Sequence, residues 1–442
     1  MAAEAVSQLL HGNACHAGCL PGLRKEREFV RFTTVTAVAA VAVLSACTKA
    51  NLLPGTASAA CRPQARQTFS GILPNATSIP RIATAAQLGL WPRQGPSARV
   101  CGDVGAGFAR CQAWLRTDIH GPIAPNTPGG YAPNDLQTAY GLASDSQSDG
   151  GGQTVAIVDA YDDPNVESDL DVYRSQYGLP ACTVSNSCFT KQKYTSQTNA
   201  GWAEEESVDV EMVSAICPNC KILLVEAAST SLADLTSAER YATTRADYVS
   251  NSWSSNEGTA TYDSDYKDGC GAIVAATGDH GYNSTAQWPA VLPSVVGVGG
   301  TSLTSITPRA ETAWLRAGSG CSKIYGKPNF QSGLNTGCSM RAQADVAADA
   351  DPHTGVAVYD TFQQRGWLVF GGTSVATPIV ASLFALAGYA SANPAENLYS
   401  HISSLNDISS GSNGTCGAPL CVAGQGWDGP TGLGTPNGTG AF

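Results

Sequence analysis

From residue 153 onward, short apolar runs alternate with helical patterns, and this alternation restricts the fold more than any other feature. The runs that resemble buried strands are 155–158, 222–225, 248–250, 272–276 and 295–298. The helical patterns are 135–142, 203–216, 232–246 and 374–389. Strands without a polar face are typical of parallel sheets covered on both sides. We therefore predict an α/β fold, a doubly wound, mostly parallel sheet with helices on both faces, in one large domain over residues 126–442.

The first 60 residues have the pattern of an export leader. Four basic residues between positions 24 and 31 precede an apolar run at 32–46, which is short for a membrane span and typical of a secretory signal. Two ends are open. Cys47 follows a lipoprotein-like box and would carry a lipid, whereas Ala57-Ser58-Ala59 matches an ordinary cleavage site. We expect a secreted protein without a membrane span, either free or anchored through Cys47.

The composition indicates an extracellular protein that does not bind nucleic acid. With 36 acidic and 25 basic residues, its net charge of −11 disfavours nucleic acid and anionic membranes as partners. Its 15 cysteines indicate an oxidising compartment. Ten of them form close pairs suited to disulfides: Cys101/Cys111, Cys182/Cys188, Cys217/Cys220, Cys321/Cys338 and Cys416/Cys421. The Cys217-Pro-Asn-Cys220 motif also suits redox or zinc chemistry, but no second such motif accompanies it, which favours a loop disulfide.

Residues 61–125 have little periodicity and are rich in Pro, Gly, Ser and Ala. Their pattern predicts a linker or a short ordered N-terminal arm.

Ser374 is the candidate nucleophile. Gly371 and Gly372 allow a tight turn out of a strand, and Ser374 follows at the start of an apolar helix. A serine there meets the positive end of the helix dipole and free backbone amides, which favour an oxyanion beside it. A serine that only caps the helix is the alternative.

A histidine base for Ser374 is not evident. After the leader the chain has four histidines, His120, His280, His353 and His401, and none stands in the His-Gly-Thr helix opening of a subtilisin-like site. Asp159 does lie on a strand similar to the one that carries the subtilisin aspartate. A subtilisin-type Asp-His-Ser protease is therefore the alternative, although this sequence lacks the histidine motif that such a protease needs.

Two acidic motifs offer carboxyl groups that can act at Ser374 in place of a histidine. Glu205 and Asp209 are four residues apart, so on a helix their Cβ atoms lie roughly 5–6 Å apart. Two such carboxylates share a proton and can relay the proton of a serine at acidic pH, although a solvated acidic helix face is the alternative. Asp279 follows a buried-looking strand between glycines. If protonated it can donate a hydrogen bond to an oxyanion, and otherwise it forms an Asx-turn.

Taken together and in this order, these motifs resemble the sedolisin family of serine-carboxyl peptidases. The resemblance extends from residue 131 to the C-terminus. The shared motifs are Glu205-x-x-x-Asp209, Asn251-Ser252-Trp253, Gly278-Asp279-x-Gly281, Trp288-Pro289-Ala290, Val298-Gly299-Gly300-Thr301, Glu311-x-x-Trp314, Asp345-Val346-x-Ala348-Asp349-Ala350-Asp351-Pro352 and Gly372-Thr373-Ser374-x-Ala376-Thr377-Pro378.

The resemblance implies a subtilisin-like fold in which glutamate replaces histidine, and a role for each matching residue. Ser374 would be the nucleophile, Glu205 its general base and acid, and Asp209 the residue that orients Glu205. Asp279 would supply the oxyanion hole. The strand with Ser252 and Trp253 would border the substrate backbone.

Two motifs near the C-terminus, Asp407-Ile408 and Gly424-Gln425-Gly426-Trp427-Asp428, resemble the calcium loop of the family. Asp407 and Asp428 would provide carboxylate oxygens to one structural Ca²⁺ ion, and Ile408, Gly424 and Gly426 would provide backbone carbonyls. Hard oxygen ligands on Gly-rich loops suit Ca²⁺. A pair of turn aspartates is the alternative.

We thus expect a secreted, monomeric, calcium-stabilised serine-carboxyl endopeptidase that cleaves proteins or peptides best at acidic pH. The family usually carries a large folded prosegment, for which residues 61–125 are too short, so they would be a short arm or a vestigial prosegment. A charged His280 next to Asp279 would lower the pKa of Asp279. A catalytically silent secreted binding or surface protein on the same scaffold is the rival from another class.

Overall fold

The computed structural model describes residues 83–258, 260–267 and 270–442, all within one compact unit. The predicted leader, Cys47 and Cys61 lie outside the described residues. Within the described ranges, no helix has the length and apolar character needed to cross a membrane.

The secondary structure can be given in chain order. The strands are β1 (Ser97–Arg99), β2 (Arg110–Cys111), β3 (Trp114–Arg116), β4 (Thr154–Ala160), β5 (Phe189–Lys193), β6 (Lys221–Ala227), β7 (Tyr248–Asn251), β8 (Trp253–Asn256), β9 (Ala272–Ala276), β10 (Gln287–Trp288), β11 (Val296–Ile306), β12 (Arg309–Ala313), β13 (Gly320–Gly326), β14 (Met340–Gln343), β15 (Val346–Asp349), β16 (Val356–Asp360), β17 (Gly366–Gly371), β18 (Leu405–Asn406) and β19 (Thr435–Pro436). The α-helices are α1 (Pro133–Ala139), α2 (Ala143–Ser148), α3 (Val166–Gln176), α4 (Ala200–Ile216), α5 (Leu232–Thr243), α6 (Asn329–Ser332), α7 (Thr373–Ala387) and α8 (Pro394–Ser400).

The central sheet has the strand order β12-β11-β9-β7-β4-β6-β5, and β15 also pairs with β11. All these pairings are parallel except the antiparallel pair of β11 with β12. The predicted α/β class with a mostly parallel sheet is therefore confirmed.

Side chains of β4 alternate between two apolar layers. Val155 and Ile157 pack in the layer that holds residues of α4 and α7, whereas Ala156 and Val158 pack in the layer that holds residues of α5. Because successive side chains of a strand point to opposite faces, the sheet has helices on both sides, as predicted. By the same alternation, Asp159 belongs to the face that α4 and α7 cover.

The described part of the predicted arm, residues 83–125, is ordered and contributes β1, β2 and β3. β3 pairs with β1 and with β17, which ends next to the start of α7. β2 pairs with β8. These strands are two or three residues long, so no periodicity in the sequence indicates them. A domain boundary at residue 126 stays a prediction.

The five predicted cysteine pairs are confirmed as disulfides: Cys101–Cys111, Cys182–Cys188, Cys217–Cys220, Cys321–Cys338 and Cys416–Cys421. Cys270 is disulfide-bonded as well. Since Cys217 and Cys220 bond to each other at the end of α4, their motif closes a loop and has no free thiols for zinc.

A fully buried ion pair joins β14 to the loop before β15. Arg341 donates to both carboxylate oxygens of Asp345, and neither side chain is exposed to solvent. Tyr399 and the backbone N–H of Gly297 also donate to Asp345, at 2.9 and 2.8 Å. The carboxylate is thus surrounded by donors, but Arg341 supplies the only cation bonded to it among the described residues.

We predict that Arg341→Met lowers the free energy of unfolding by about 3–5 kcal/mol, because it leaves a buried carboxylate without its cation. Urea unfolding followed by tryptophan fluorescence measures this. Arg240→Met is the control, since Arg240 pairs with Asp265 at the surface and its loss should change stability little. Equal effects of the two substitutions would contradict the prediction.

Candidate active site

Gly372 connects β17 to α7 in a conformation that favours glycine. Its φ angle is +105°. A Cβ atom there would lie 1.9 Å from the carbonyl oxygen of Gln112 and 2.9 Å from Oδ2 of Asp279. Both the backbone conformation and the surrounding space therefore require glycine. The turn places Ser374 on the first turn of α7, fully buried next to the free amides of the helix end.

The hydroxyl of Ser374 is held by backbone groups. It donates to the carbonyl oxygen of Ser252 at 3.0 Å and accepts from the backbone N–H of Gln112 at 3.1 Å. The hydroxyl of Ser252 in turn donates to Oδ1 of Asp209 at 2.7 Å. Ser252, which the sequence assigns only to the substrate border, thus also links Asp209 to the nucleophile.

The structure brings Glu205 next to Ser374. Glu205 is fully buried on α4, so the alternative of a solvated acidic face is wrong. Burial, and then the nearby Asp209 and Asp159, raise the pKa of Glu205 well above its usual range, while the neighbouring Ser374 hydroxyl lowers it. Neither Glu205 carboxyl oxygen makes a hydrogen bond of ordinary geometry within the described residues. The carboxyl is therefore free to exchange a proton with a hydroxyl beside it.

The neighbouring glutamates face other partners. Glu204 accepts from the side-chain amide of Gln364. Burial raises the pKa of Glu206, and the negative charge of the neighbouring Glu226 raises it further. Among the three consecutive glutamates, Glu205 is the one directed to Ser374.

A wider group of buried acids adjoins this pair. Asp159 and Glu226 are directly paired in the register of β4 with β6, and both side chains are fully buried. Burial and Glu226 raise the pKa of Asp159, and burial and Asp159 raise the pKa of Asp209. Lys191 contacts Glu226 at 2.6 Å. Sequence reasoning singled out Asp159 only for a histidine-type site and missed Glu226 and Lys191, whose strand positions were the available signal.

Asp279 is placed beside the start of α7. Its Oδ1 accepts from the backbone N–H and the hydroxyl of Thr373, at 2.9 and 2.7 Å. Its Oδ2 has no hydrogen-bond partner among the described residues. Burial raises the pKa of Asp279 to about 7, although Thr373 and Arg110 lower it. Below that pH a protonated Oδ2 can donate to an oxyanion.

His280 does not carry the charge expected of it. Burial and the cations of Arg110 and Arg99 lower the pKa of His280 to about 4. Arg110 also lies within hydrogen-bond distance of the ring, 3.0 Å from Nδ1. The expectation that a histidinium lowers the pKa of Asp279 is therefore wrong, and the cation with this effect is Arg110.

The histidines have partners away from the nucleophile. His120 contacts the carbonyl of Thr117, His353 contacts Asp351, and His401 contacts the carbonyl of Asn397. Within the described residues, none of the four histidines forms a hydrogen bond with Ser374. The geometry thus offers no histidine base for a subtilisin-type mechanism.

A segment of the chain itself lies across the nucleophile. β2 runs antiparallel to β8, with Arg110 opposite Ser254 and Cys111 opposite Trp253. The N–H of the next residue, Gln112, lies 3.1 Å from both the carbonyl oxygen of Ser252 and the hydroxyl of Ser374. No sequence pattern in residues 110–112 indicates that this segment lies in the cleft.

Beyond Ser374 the same segment pairs with β17, where Trp114 lies opposite Gly371. The segment therefore passes from β8 to β17 over the nucleophile as an extended peptide.

Trp253 contributes its backbone to this pairing, while its side chain is structural. The indole is fully buried and donates from Nε1 to the carbonyl of Val158 at 2.9 Å. It packs against the rings of Tyr266 and Trp288. The side chain is therefore part of the apolar layer that also holds residues of α5.

The residues of the predicted calcium loop lie in neighbouring turns. The N–H of Gly426 donates to both carboxylate oxygens of Asp407, at 3.2 and 3.1 Å. The N–H of Gly424 donates to Oδ2 of Asp428 at 3.3 Å. Ile408 follows Asp407 and is buried. Within the described ranges, no group of three or more His, Cys, Asp or Glu side chains is arranged to hold a metal ion.

Comparison with known proteins relates this chain to proteolytic enzymes. A profile of the subtilase family matches residues 192–404. Kumamolisin of Bacillus sp. (strain MN-32) is 31% identical over 357 residues, which cover 70% of this chain and 63% of that protein. Sedolisin of Pseudomonas sp. (strain 101) is 36% identical over 176 residues, covering 35% of this chain and 29% of the relative. The chain thus spans less than two thirds of the length of these curated relatives.

A solved structure shares the fold. Pseudomonas sedolisin, a serine-carboxyl proteinase complexed with two molecules of pseudo-iodotyrostatin, superposes with a TM-score of 0.59. The superposition covers 70% of this chain and 96% of that one at 23% identity. It supports the subtilisin-like architecture that the sequence predicted.

The raised pKa of Asp279 predicts that the fold loses stability as pH rises. A carboxyl that keeps its proton up to about pH 7 when folded, and releases it near pH 4 when unfolded, favours folding at low pH. This contribution is lost between pH 4 and pH 7. Asp279→Asn should reduce the fall in unfolding free energy between pH 4 and pH 8 by on the order of 2–4 kcal/mol.

The measurement is urea unfolding at both pH values in a Ser374→Ala background. The control is Asp171→Asn, which removes an exposed carboxyl and should leave the pH dependence as it is. An unchanged slope in the Asp279→Asn protein would contradict the prediction.

Proposed function

Because the chain belongs to the sedolisin family of serine-carboxyl peptidases, we propose that it is a secreted serine-carboxyl endopeptidase that hydrolyses proteins or peptides at acidic pH. The observation that carries this proposal is the extended segment over Ser374. A peptide backbone, that of Gln112, lies within 3.1 Å of the nucleophile hydroxyl and is paired with β8. A cleft that holds an extended peptide in this way suits a peptide substrate.

The buried side chains suit acyl transfer through a covalent intermediate. Ser374 attacks the peptide carbonyl carbon while Glu205 accepts the hydroxyl proton. Asp209, held by Ser252, orients Glu205, and protonated Asp279 donates to the oxyanion. Glu205 then protonates the leaving amine, and in the second half it accepts a proton from the water that hydrolyses the acyl-enzyme.

The two carboxyls need opposite protonation states, which favours acidic pH. Asp279 acts as a donor only while it is protonated, so activity is lost as pH rises through its pKa of about 7. Glu205 acts as a base only when it is ionised, so activity also falls at low pH. The optimum lies between these limits.

We predict that Ser374→Ala and Glu205→Gln each lower kcat/KM at least about 10⁴-fold, because each removes a group that reacts directly. Hydrolysis of casein and of peptide libraries from pH 3 to pH 9 measures this. Matched controls are Ser382→Ala, a buried serine further along α7, and Glu204→Gln, whose carboxyl faces Gln364. Full activity of Glu205→Gln would exclude its role as base, and full activity of Ser374→Ala would exclude Ser374 as the nucleophile. Absence of hydrolysis by the original chain at every pH would favour the silent scaffold protein.

We also propose that the C-terminal loops hold one structural Ca²⁺ ion. Two neighbouring carboxylates, Asp407 and Asp428, and the carbonyls of Ile408, Gly424 and Gly426 form a donor set made only of oxygens, as Ca²⁺ prefers. The contact of Asp407 with Gly426 shows that the two loops come within hydrogen-bond distance, which fits a shared ion. The ion would hold the turn at Asp407 and the turn at Asp428 together.

Removing calcium should therefore lower the melting temperature. At a free Ca²⁺ concentration 100 times the dissociation constant, binding stabilises the fold by about 3 kcal/mol, and EDTA removes this gain. Differential scanning calorimetry of the Ser374→Ala protein with Ca²⁺ and with EDTA measures the shift. Asp407→Asn should abolish the response, and a response that persists in this variant would place the ion elsewhere.

A further inference from the structure

The side chain of Gln112 is bound as specifically as its backbone. It is 2% exposed. Its Oε1 accepts from the backbone N–H of Asp279 at 3.1 Å, and its Nε2 donates to the hydroxyl oxygen of Ser254 at 3.1 Å. Nε2 also donates to the carbonyl of Arg110 in its own segment, at 2.9 Å. Both ends of the carboxamide are therefore paired.

The backbone contacts of Gln112 suit the residue on the acyl side of a cleaved bond. Its N–H bonds to Ser252 beside Ser374, and its carbonyl oxygen lies against Gly372. Oδ2 of Asp279 lies against the same face of Gly372, 2.9 Å from the position of a Cβ. The side chain of Gln112 therefore fills the pocket for the acyl-side residue of a substrate.

The wall of this pocket is polar. Ser254 lies on β8, and its hydroxyl donates to Oε1 of Gln287 at 3.4 Å, so its lone pairs face Gln112. Gly278, with φ +94°, closes the pocket, since a Cβ there would lie 3.4 Å from Oγ of Ser254 and 3.8 Å from Oε1 of Gln112. The pocket thus offers one N–H donor and one oxygen acceptor, which match a primary carboxamide.

We propose that the peptidase prefers glutamine on the acyl side of the cleaved bond and that Ser254 determines this preference. The inference rests on the proposed function and defines its substrate class. Leucine has a similar size but leaves the N–H of Asp279 and the oxygen of Ser254 without partners in a closed pocket. Ionised glutamate has an oxygen in place of the Nε2 donor, so it pairs with Ser254 only if the Ser254 hydroxyl gives up its contact with Gln287.

Peptides copied from residues 109–114 test this preference, with serine in place of Cys111 and Gln, Glu or Leu in the position of Gln112. The full chain is assayed at pH 5.5, where a free glutamate side chain is mostly ionised, after its activity on casein has become constant. The segment over Ser374 must leave the cleft before a peptide enters, and constant activity shows that it has done so. Mass spectrometry locates the cleaved bond, and kcat/KM is compared between peptides.

We expect the glutamine peptide to be cleaved after glutamine at least about tenfold better than the other two. Ser254→Ala should lower kcat/KM for the glutamine peptide by about 3- to 10-fold and leave the leucine peptide within about twofold. Ser255→Ala is the matched control. Its hydroxyl donates to the carbonyl of Phe108 and does not touch Gln112, so it should leave the ratio unchanged.

The outcomes separate the two proposals. Cleavage of casein together with an equal or better rate on the leucine peptide overturns the glutamine preference and leaves the peptidase in place. An equal loss on all three peptides in Ser254→Ala also overturns it, because the serine would then act on folding alone. If casein and all peptides stay uncleaved and Ser374→Ala behaves like the original chain, the proposed function fails and the preference with it.

Discussion

The burial of carboxyl groups against the N-terminus of α7 is the constraint on which the rest of this structure depends. Glu205, Asp209, Asp159 and Asp279 have at most 1% of their surface exposed. A carboxylate in such surroundings is costly, so these groups hold protons that they would release in water. Proton transfer at Ser374 therefore needs no histidine. A carboxylate with a raised pKa is a stronger base, and a carboxyl that stays protonated is a hydrogen-bond donor.

The sheet explains how so many acids come together. Asp159 and Glu226 are register partners on adjacent parallel strands, and both point to the face that α4 covers. On α4, Glu205 and Asp209 are one turn apart and thus face the same side. The only cation bonded to Glu226 among the described residues is Lys191, at the edge of the group. Lys191 therefore stabilises negative charge on Glu226 and lowers its pKa against the effect of burial.

Much of the fold, and the placement of Glu205 and Asp209 on one face of a helix, could be predicted because the signals are local. Strands β4, β6, β7 and β9 are short apolar runs, and the spacing from Glu205 to Asp209 is a helical spacing. The neutral state of His280 could not be predicted, because it depends on Arg110, which lies 170 positions away along the chain. The pairing of β2 with β8 also joins distant parts of the chain, and a strand of two residues has no period. Sequence patterns indicate which groups a strand or helix presents, but not which distant segment covers them.

The segment over Ser374 shows why this remote contact matters. The Cys101–Cys111 disulfide closes a short loop, and β1 pairs with β3 on the far side of Gln112. The segment is thus held in an extended shape on both sides, so it loses little conformational entropy when it pairs with β8. Because it belongs to the same chain, its effective concentration at the cleft exceeds that of a free peptide. If the chain is the proposed peptidase, a substrate must compete with a preorganised peptide that makes the same backbone contacts. The cleft would then open to substrates only to the extent that this segment is displaced.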